Sequence, residues 1–235
     1  MLQTGKTMLQ TGIDSHFSAP RHHIPAELLL DYAVGRLAEP WSLVVACHLS
    51  LCPECRDEMR RLEALGGAAL DRAEVQPLRR PMPATLPPRQ NAAKAETAAA
   101  VAGRDTRLPA PLRKYLPDGL DQARWRWVGS GLRSLPLPVA SKSGGMVSLL
   151  KIAPGQGMPV HSHGGEEMTL VLCGGFSDER GEFRRGDVEI ADDGVEHQPV
   201  AMPDEPCICL AVTDAPLRFA GRFGWIFNQW ARFTA

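Results

Sequence analysis

The chain has 235 residues, of which 44% are hydrophobic and 23% are charged, as is ordinary for a globular protein. Its formal net charge of -1 and the lack of an apolar run of transmembrane length argue against direct nucleic-acid binding and a membrane partner. The N-terminus lacks the apolar core of a signal peptide, so we expect a cytoplasmic protein whose six cysteines serve metal or redox chemistry rather than disulfides.

The N-terminal part of the chain predicts a small helical domain at residues 21–75, after a disordered tail at residues 1–20. Residues 24–37 predict a first helix, because an early proline suits its first turn and the apolar residues share one face. A second helix is predicted from about Pro40, and a third from about Pro53 that a Gly-Gly pair weakens or ends. Three short helices form a small core, which usually needs a disulfide or a bound metal ion to be stable.

A cluster of residues of the types that bind metals lies where such a stabilising metal ion would be expected. His48, Cys52 and Cys55 have the spacing H-x3-C-x2-C, in which the first two residues are neighbours on one helix face. Two thiolates and an imidazole indicate structural zinc, whose fourth ligand would be His22 or His23. A redox pair of the two cysteines is the alternative, although such pairs usually occur in a βαβ context, which is absent here.

Residues 76–113 predict a linker between two domains. Proline, alanine and arginine crowd this stretch, and residues 79–114 carry eight basic side chains against two acidic ones. Such a composition favours a solvated, extended segment. An additional alanine-rich helix near residues 90–102 is a further possibility that the composition allows.

The C-terminal part, residues 114–235, predicts an all-β domain. Short apolar or alternating runs are separated by glycine-rich turn sequences, a pattern that is typical of a barrel or sandwich. No periodic segment of helical length interrupts them, which argues against a parallel βαβ fold. The predicted strands are WRWVG, MVSLLKIA, EMTLVLCG, GDVEIA and CICLAVT. We therefore expect an α+β chain with two domains.

A second metal-ligand cluster lies within the predicted β domain. His161 and His163 are two residues apart, so on a strand their side chains project together. Glu167 follows on the next strand, with Glu166 as the competing carboxylate, and His197 would complete a site in the mouth of a barrel. Three imidazoles and a carboxylate suit zinc, iron, manganese, nickel or copper without selecting among them.

Cys207 and Cys209 share one face of an apolar strand. Free cysteines are commonly buried, so two core residues are one interpretation of this pair. The other is a redox-sensitive pair near the interior of the barrel.

The N-terminal stretch HHIPAELLLDYAVGRLAEPWSLVVACHLSLCPECRDEM resembles the zinc-binding anti-sigma domain of the ChrR group. The resemblance implies that His23, His48, Cys52 and Cys55 are zinc ligands. It also implies a 1:1 complex with an extracytoplasmic-function sigma factor, which the domain keeps from RNA polymerase. The family has a further helix after the third, whereas the stretch PMPATLPP here is a poor helix sequence.

The second cluster resembles the cupin superfamily, whose pattern G-x5-H-x-H-x3-E-x6-G it fits at every position. A looser second block places Gly194 and His197 in the family register. The resemblance implies a jelly-roll β-barrel in which His161, His163, Glu167 and His197 bind a divalent metal such as zinc, iron, manganese or nickel. ChrR-like proteins also carry the stretch C-I-C-L-A-x-T-D-A-P-L-R-F found here.

The order of helical domain, linker and cupin barrel is similar to that of ChrR-type anti-sigma factors. This resemblance implies a regulator without catalytic residues, which releases its sigma factor when the barrel senses oxidative stress from singlet oxygen or organic hydroperoxides. The alternative is a metal-dependent cupin enzyme, a dioxygenase or isomerase, with an accessory zinc domain. A third interpretation is a passive, metal-stabilised interaction module.

Overall fold

The computed structural model describes residues 19–77, 104–139 and 146–215, together with the backbone of residues 218–219. The predicted helix near residues 90–102 lies outside these ranges, as does all but the end of the predicted tail. Across the described part of the chain, no helix is long and apolar enough to cross a membrane.

Three helices form the N-terminal part, and they are α1 (Ala26–Ala33), α2 (Glu39–Leu51) and α3 (Pro53–Asp71). Helix α1 starts directly after Pro25 and is shorter than the predicted helix at residues 24–37. It stops shortly before Gly35, whose φ of 70° favours glycine. Helix α3 runs through Gly66 and Gly67 to Asp71, so of the two predicted effects of this pair, weakening or ending the helix, the second is wrong. The two glycines cost about 1 kcal/mol each, but the alanine and leucine residues around them are strong helix formers.

The described residues after position 104 form one short 3-10 helix and twelve strands. The 3-10 helix spans Ala110–Tyr115. The strands are β1 (Arg126–Gly129), β2 (Leu132–Pro136), β3 (Met146–Ile152), β4 (His161–Ser162), β5 (Glu167–Cys173), β6 (Gly175–Asp178), β7 (Gly181–Arg184), β8 (Val188–Ala191), β9 (Glu196–His197), β10 (Val200–Ala201), β11 (Cys207–Thr213) and β12 (Arg218–Phe219). The five predicted strand sequences form β1, β3, β5, β8 and β11, which confirms the all-β prediction.

The strands pair antiparallel in three sheets. Six strands form the largest sheet in the order β1-β2-β3-β11-β5-β8, while β10-β6-β7 and β12-β4-β9 form two smaller sheets. The inner face of the large sheet packs against β6, β7 and β10 through an apolar cluster that includes Val171, Phe176 and Phe183. The sheets therefore enclose an interior, as a cupin barrel does.

The central strands β5 and β11 are buried at every residue, on both faces of the large sheet. Their outer face belongs to a second apolar cluster, which also contains Val44 and Val45 of α2 and Leu112 of the 3-10 helix. Helix α2 packs against β5, β11 and the 3-10 helix. The helices and the sheet thus share one hydrophobic core, in which Leu108 and Leu112 from the predicted linker are buried.

Candidate metal centres

The N-terminal cluster is assembled at the junction of α2 and α3. His48 lies in the last turn of α2, and Cys52 is the residue between the two helices. The Sγ of Cys52 accepts the backbone N–H of Cys55 at 3.4 Å, which turns both thiols toward one point. His23 arrives from the segment before α1. One ligand atom from each of these four residues lies within 4.8 Å of the other three.

The distances within this cluster fit a tetrahedral metal ion. The Nδ1 of His23 lies 3.3 Å from the Sγ of Cys52 and 3.6 Å from that of Cys55. Tetrahedral zinc with ordinary Zn–N and Zn–S bonds would separate such atoms by about 3.5 Å. The buried Nε2 of His48 has no hydrogen-bond partner among the described residues. Burial lowers the pKa of His48 to about 4, which keeps the imidazole in the neutral form that binds metals.

The two adjacent histidines at the start of the domain lie in different places. His22 contacts the cupin domain, where its ring lies 4.3 Å from that of Phe183 and its Nδ1 lies 3.5 Å from a carboxylate oxygen of Asp187. His23 lies in the Cys52–Cys55 cluster. The geometry therefore favours His23 between the two candidates that the spacing alone left open.

The second cluster lies where the small sheet β12-β4-β9 meets the interior. His161 on β4 pairs directly with His197 on β9, and their Nε2 atoms are 3.1 Å apart. The ring of His163 lies 5.3 Å from that of His161 and 5.1 Å from that of His197. All three imidazoles are buried, and one nitrogen of each lies within 4.8 Å of the others. Three convergent imidazoles are a common donor set for transition metals.

Glu167 is the carboxylate of this second cluster. Its Oε2 lies 3.0 Å from the Nε2 of His163, and its Oε1 accepts a hydrogen bond from Thr169 at 2.9 Å. Burial opposes ionisation, but the His163 contact and the nearby imidazoles outweigh it and lower the pKa of Glu167. Glu166 is exposed. The group of ligand atoms that all lie within 4.8 Å of one another consists of the three histidines, and Glu167 joins it through its contact with His163. The Nδ1 of His163 is buried without a hydrogen-bond partner among the described residues, so the cluster fits a bound cation.

Two further carboxylates, which no sequence pattern indicated, contact His197. The Nδ1 of His197 lies 3.0 Å from Asp178 on β6 and 3.4 Å from Glu189 on β8. Such contacts fix the ring so that its other nitrogen faces His161. Little in the sequence indicates these two carboxylates. Glu189 is an acidic residue inside the predicted strand GDVEIA, and the residues that it lies close to come from other strands.

Cys207 and Cys209 lie on the inner face of β11, as their spacing predicts. Both are buried, and their sulfur atoms are 3.4 Å apart. The neighbouring thiol and burial raise the pKa of Cys209 well above its usual value, so this thiol is protonated at neutral pH. Both belong to the apolar cluster between the sheets.

Comparison with known proteins relates the sequence and the fold to one family. The ChrR cupin-like domain family matches residues 119–216. The anti-sigma-E factor ChrR of Cereibacter sphaeroides is 44% identical over 199 residues, which cover 85% of this chain and 92% of that protein.

The chain belongs to the ChrR family of anti-sigma factors.

A solved structure of a family member shows the same overall architecture. In the crystal structure of Rhodobacter sphaeroides SigE in complex with the anti-sigma ChrR, the matched chain is 42% identical with a TM-score of 0.69. The match covers 83% of this chain and 99% of that one. The family membership confirms the predicted combination of an N-terminal helical part and a C-terminal cupin fold.

Proposed function

We propose that this protein binds an extracytoplasmic-function sigma factor in a 1:1 complex and holds it inactive, in the cytoplasm where RNA polymerase acts. The observation that carries the proposal is its 44% identity to an anti-sigma-E factor along most of the chain. The 42% identical chain solved in complex with SigE supports the same kind of partner. The proposal assigns no catalytic residue to the chain.

The helical part offers an apolar surface for such a partner. Leu30 of α1 is 48% exposed, and Val34, the residue that follows this helix, is 59% exposed. Leu65 and Leu70 of α3 are 69% and 75% exposed. All four are large aliphatic side chains in the helical part, and exposed apolar side chains of this kind contribute to many protein interfaces. We propose that these four residues contact the sigma factor.

Both clusters are proposed as metal centres. Zinc bound by His23, His48, Cys52 and Cys55 would connect the segment before α1 to the α2–α3 junction, and would stabilise the helical domain because binding is linked to folding. In the barrel, His161, His163, Glu167 and His197 would bind zinc or another divalent metal such as iron, manganese or nickel.

The barrel is proposed to be the sensor of oxidative stress. Singlet oxygen or organic hydroperoxides would act at the cupin cluster or at Cys207 and Cys209, and the sigma factor would then be released. The cysteine pair is proposed as a second target because its sulfur atoms, 3.4 Å apart, are close enough to form a disulfide, although burial and the raised pKa of Cys209 slow the reaction of these thiols with oxidants. We also propose the division into a helical domain at residues 21–75 and a cupin domain at residues 114–235, joined by residues 76–113.

Co-expression with a candidate sigma factor tests the proposal. We expect one co-purifying complex that contains two metal ions per chain and represses a sigma-dependent reporter. Replacing Leu65 and Leu70 by alanine should weaken the complex at least tenfold, without loss of folding. Alanine at the exposed Val75, which lies beyond the end of α3, is the matched control.

The sensor role is tested in the same reporter strain. His161→Ala should leave repression intact and abolish the response to singlet oxygen, whereas Cys52→Ser should abolish repression itself. If the chain binds no extracytoplasmic-function sigma factor, or if the barrel turns over a small molecule with the same ligand requirement, the regulator proposal is wrong and an enzyme is favoured.

A further inference from the structure

One proposed ligand of the N-terminal site is supported by the cupin domain. The Nδ1 of His48 lies 2.8 Å from the carbonyl oxygen of Gly186, 138 positions later in the chain. The opposite ring nitrogen, Nε2, faces the metal cluster and has no protein hydrogen-bond partner. In metal proteins a ligating imidazole commonly donates its other N–H to a carbonyl, which fixes its tautomer and ring orientation. Here the supporting carbonyl belongs to the β7–β8 turn.

The same turn holds the segment that carries His23. One carboxylate oxygen of Asp187 accepts the backbone N–H groups of Arg21 and His22 at 2.5 and 2.9 Å. The N–H of Val188 donates to the carbonyl of His22 at 3.2 Å. Strand β8 is the outermost strand of the large sheet, so residues 21 and 22 cover part of its free edge. The residue before His23 is thus fixed to the cupin domain.

Gly186 also determines how closely the helical part approaches the turn. Its φ is 91°, and a Cβ atom there would lie 2.7 Å from the side chain of Pro20 and 3.6 Å from that of Leu51. Leu51 is the last residue of α2 and precedes the proposed ligand Cys52. A methyl group at position 186 would therefore push against Pro20, in the segment that leads to His23, and would come into ordinary contact with Leu51.

The turn leads directly into the barrel's own cluster. Glu189, two residues after Asp187 on β8, lies 3.4 Å from the Nδ1 of His197. Four consecutive residues, 186–189, thus include contacts to proposed ligands of both candidate metal centres, His48 and His197.

We propose that Gly186 and Asp187 of the cupin domain are positioning residues of the N-terminal metal site: the Gly186 carbonyl orients His48, and the Asp187 carboxylate holds the segment that carries His23. The inference rests on the proposed zinc binding at this site. It makes the zinc affinity of the helical domain dependent on the conformation of a cupin turn, which is a direct physical route from the barrel to the sigma-binding part.

Cobalt titration of the full-length, metal-free chain tests the inference. Bonds from cysteine thiolates to Co²⁺ give intense charge-transfer absorption, which the sulfur-free ligands of the barrel do not give, so the N-terminal site is read selectively. Asp187→Ala and Gly186→Ala should each lower the Co²⁺ affinity of this site by about 10–100-fold, the usual loss for a missing outer partner of a ligand. Asp187→Asn keeps one acceptor oxygen and should lose less.

Two matched controls separate positioning from general damage. Asp192→Ala removes an exposed carboxylate at the other end of β8, which accepts a local N–H from Gly194. Gly155→Ala imposes a similar backbone strain at a φ of 68°, but no atom lies within 4 Å of the added methyl group. Both controls should bind Co²⁺ at the N-terminal site within about threefold of the unmodified chain, with circular dichroism reporting folding for every variant.

The outcomes are distinct. If the unmodified chain shows no thiolate–Co²⁺ absorption, the proposed zinc site itself is wrong. If the unmodified chain shows the absorption but the variants at Gly186 and Asp187 bind Co²⁺ equally well, the positioning role is wrong. The positioning role is also wrong if the two control variants lose as much Co²⁺ affinity as the variants at Gly186 and Asp187. Should Asp187→Ala not fold, Asp187→Asn and Gly186→Ala decide the question by the same measurement.

Discussion

The core shared by the helices and the sheet makes a quantitative prediction for Leu112. This residue lies on the 3-10 helix Ala110–Tyr115, is fully buried, and belongs to the cluster that contains the apolar residues of α2. Leu112→Ala removes three carbon atoms from a site closed by both a helix and a sheet. The lost transfer free energy of about 2 kcal/mol and a cavity term of about 1–2 kcal/mol give a destabilisation of about 3–4 kcal/mol.

Thermal and chemical denaturation of the full chain measure this loss. For a protein of this length, about 3–4 kcal/mol corresponds to a fall in Tm of about 6–16 °C. Amide exchange in α2 should accelerate as well, because α2 packs against the 3-10 helix. The matched control is Leu65→Ala, the same change at a side chain that is 69% exposed, which should alter the unfolding free energy by less than about 0.5 kcal/mol. A Leu112→Ala protein as stable as the control, or one with unchanged exchange in α2, would refute the shared core.

The other predictions concern the metal cluster and pH. Cys55→Ser should abolish thiolate–Co²⁺ absorption at the N-terminal site. The control is Cys47→Ser, at a buried cysteine outside the cluster, which should keep the absorption and cost about 1–3 kcal/mol of stability. An equal loss of absorption in both variants would contradict the assignment. The Arg107 hydrogen bond lowers the pKa of Asp105 to about 2, so its stabilisation is present above the unfolded value of about 3.9 and is lost as the pH falls toward 2. Asp105→Asn should therefore lower the free energy of unfolding by about 1–2 kcal/mol at pH 7 and leave it unchanged near pH 2. The value at pH 7 allows for solvent screening, since the Arg107 side chain is 39% exposed. Urea denaturation at both pH values measures the difference, and a difference that does not depend on pH would contradict this origin.

The strands could be predicted because their apolar runs are unusually uniform. β5 and β11 are buried on both faces, so they read as continuous apolar segments rather than alternating ones. The clusters could be predicted because their ligands are close in sequence: the helical spacing of His48 and Cys52 and the strand spacing of His161 and His163 fix each pair's relative orientation.

The contacts that support these clusters could not be predicted from local patterns. The partner of His48 is a backbone carbonyl 138 residues away, and a carbonyl has no sequence signature. Asp178 reaches His197 from a different strand, so no fixed spacing identifies it. Leu112 lies in a stretch rich in proline, alanine and arginine, whose composition indicates a linker although the leucine itself is fully buried.

The outer face of the large sheet has a consequence for the solubility of the barrel. Leu210 on β11 lies opposite Leu149 on one neighbouring strand and Leu170 on the other, so three leucines form a row across the centre of the sheet. The helical part covers this row in the intact chain. A barrel cut free of its helices, whether by truncation or by a protease, would carry a wide water-exposed apolar patch. We expect such a fragment to self-associate or precipitate, so loss of the helical domain would also remove the barrel from solution.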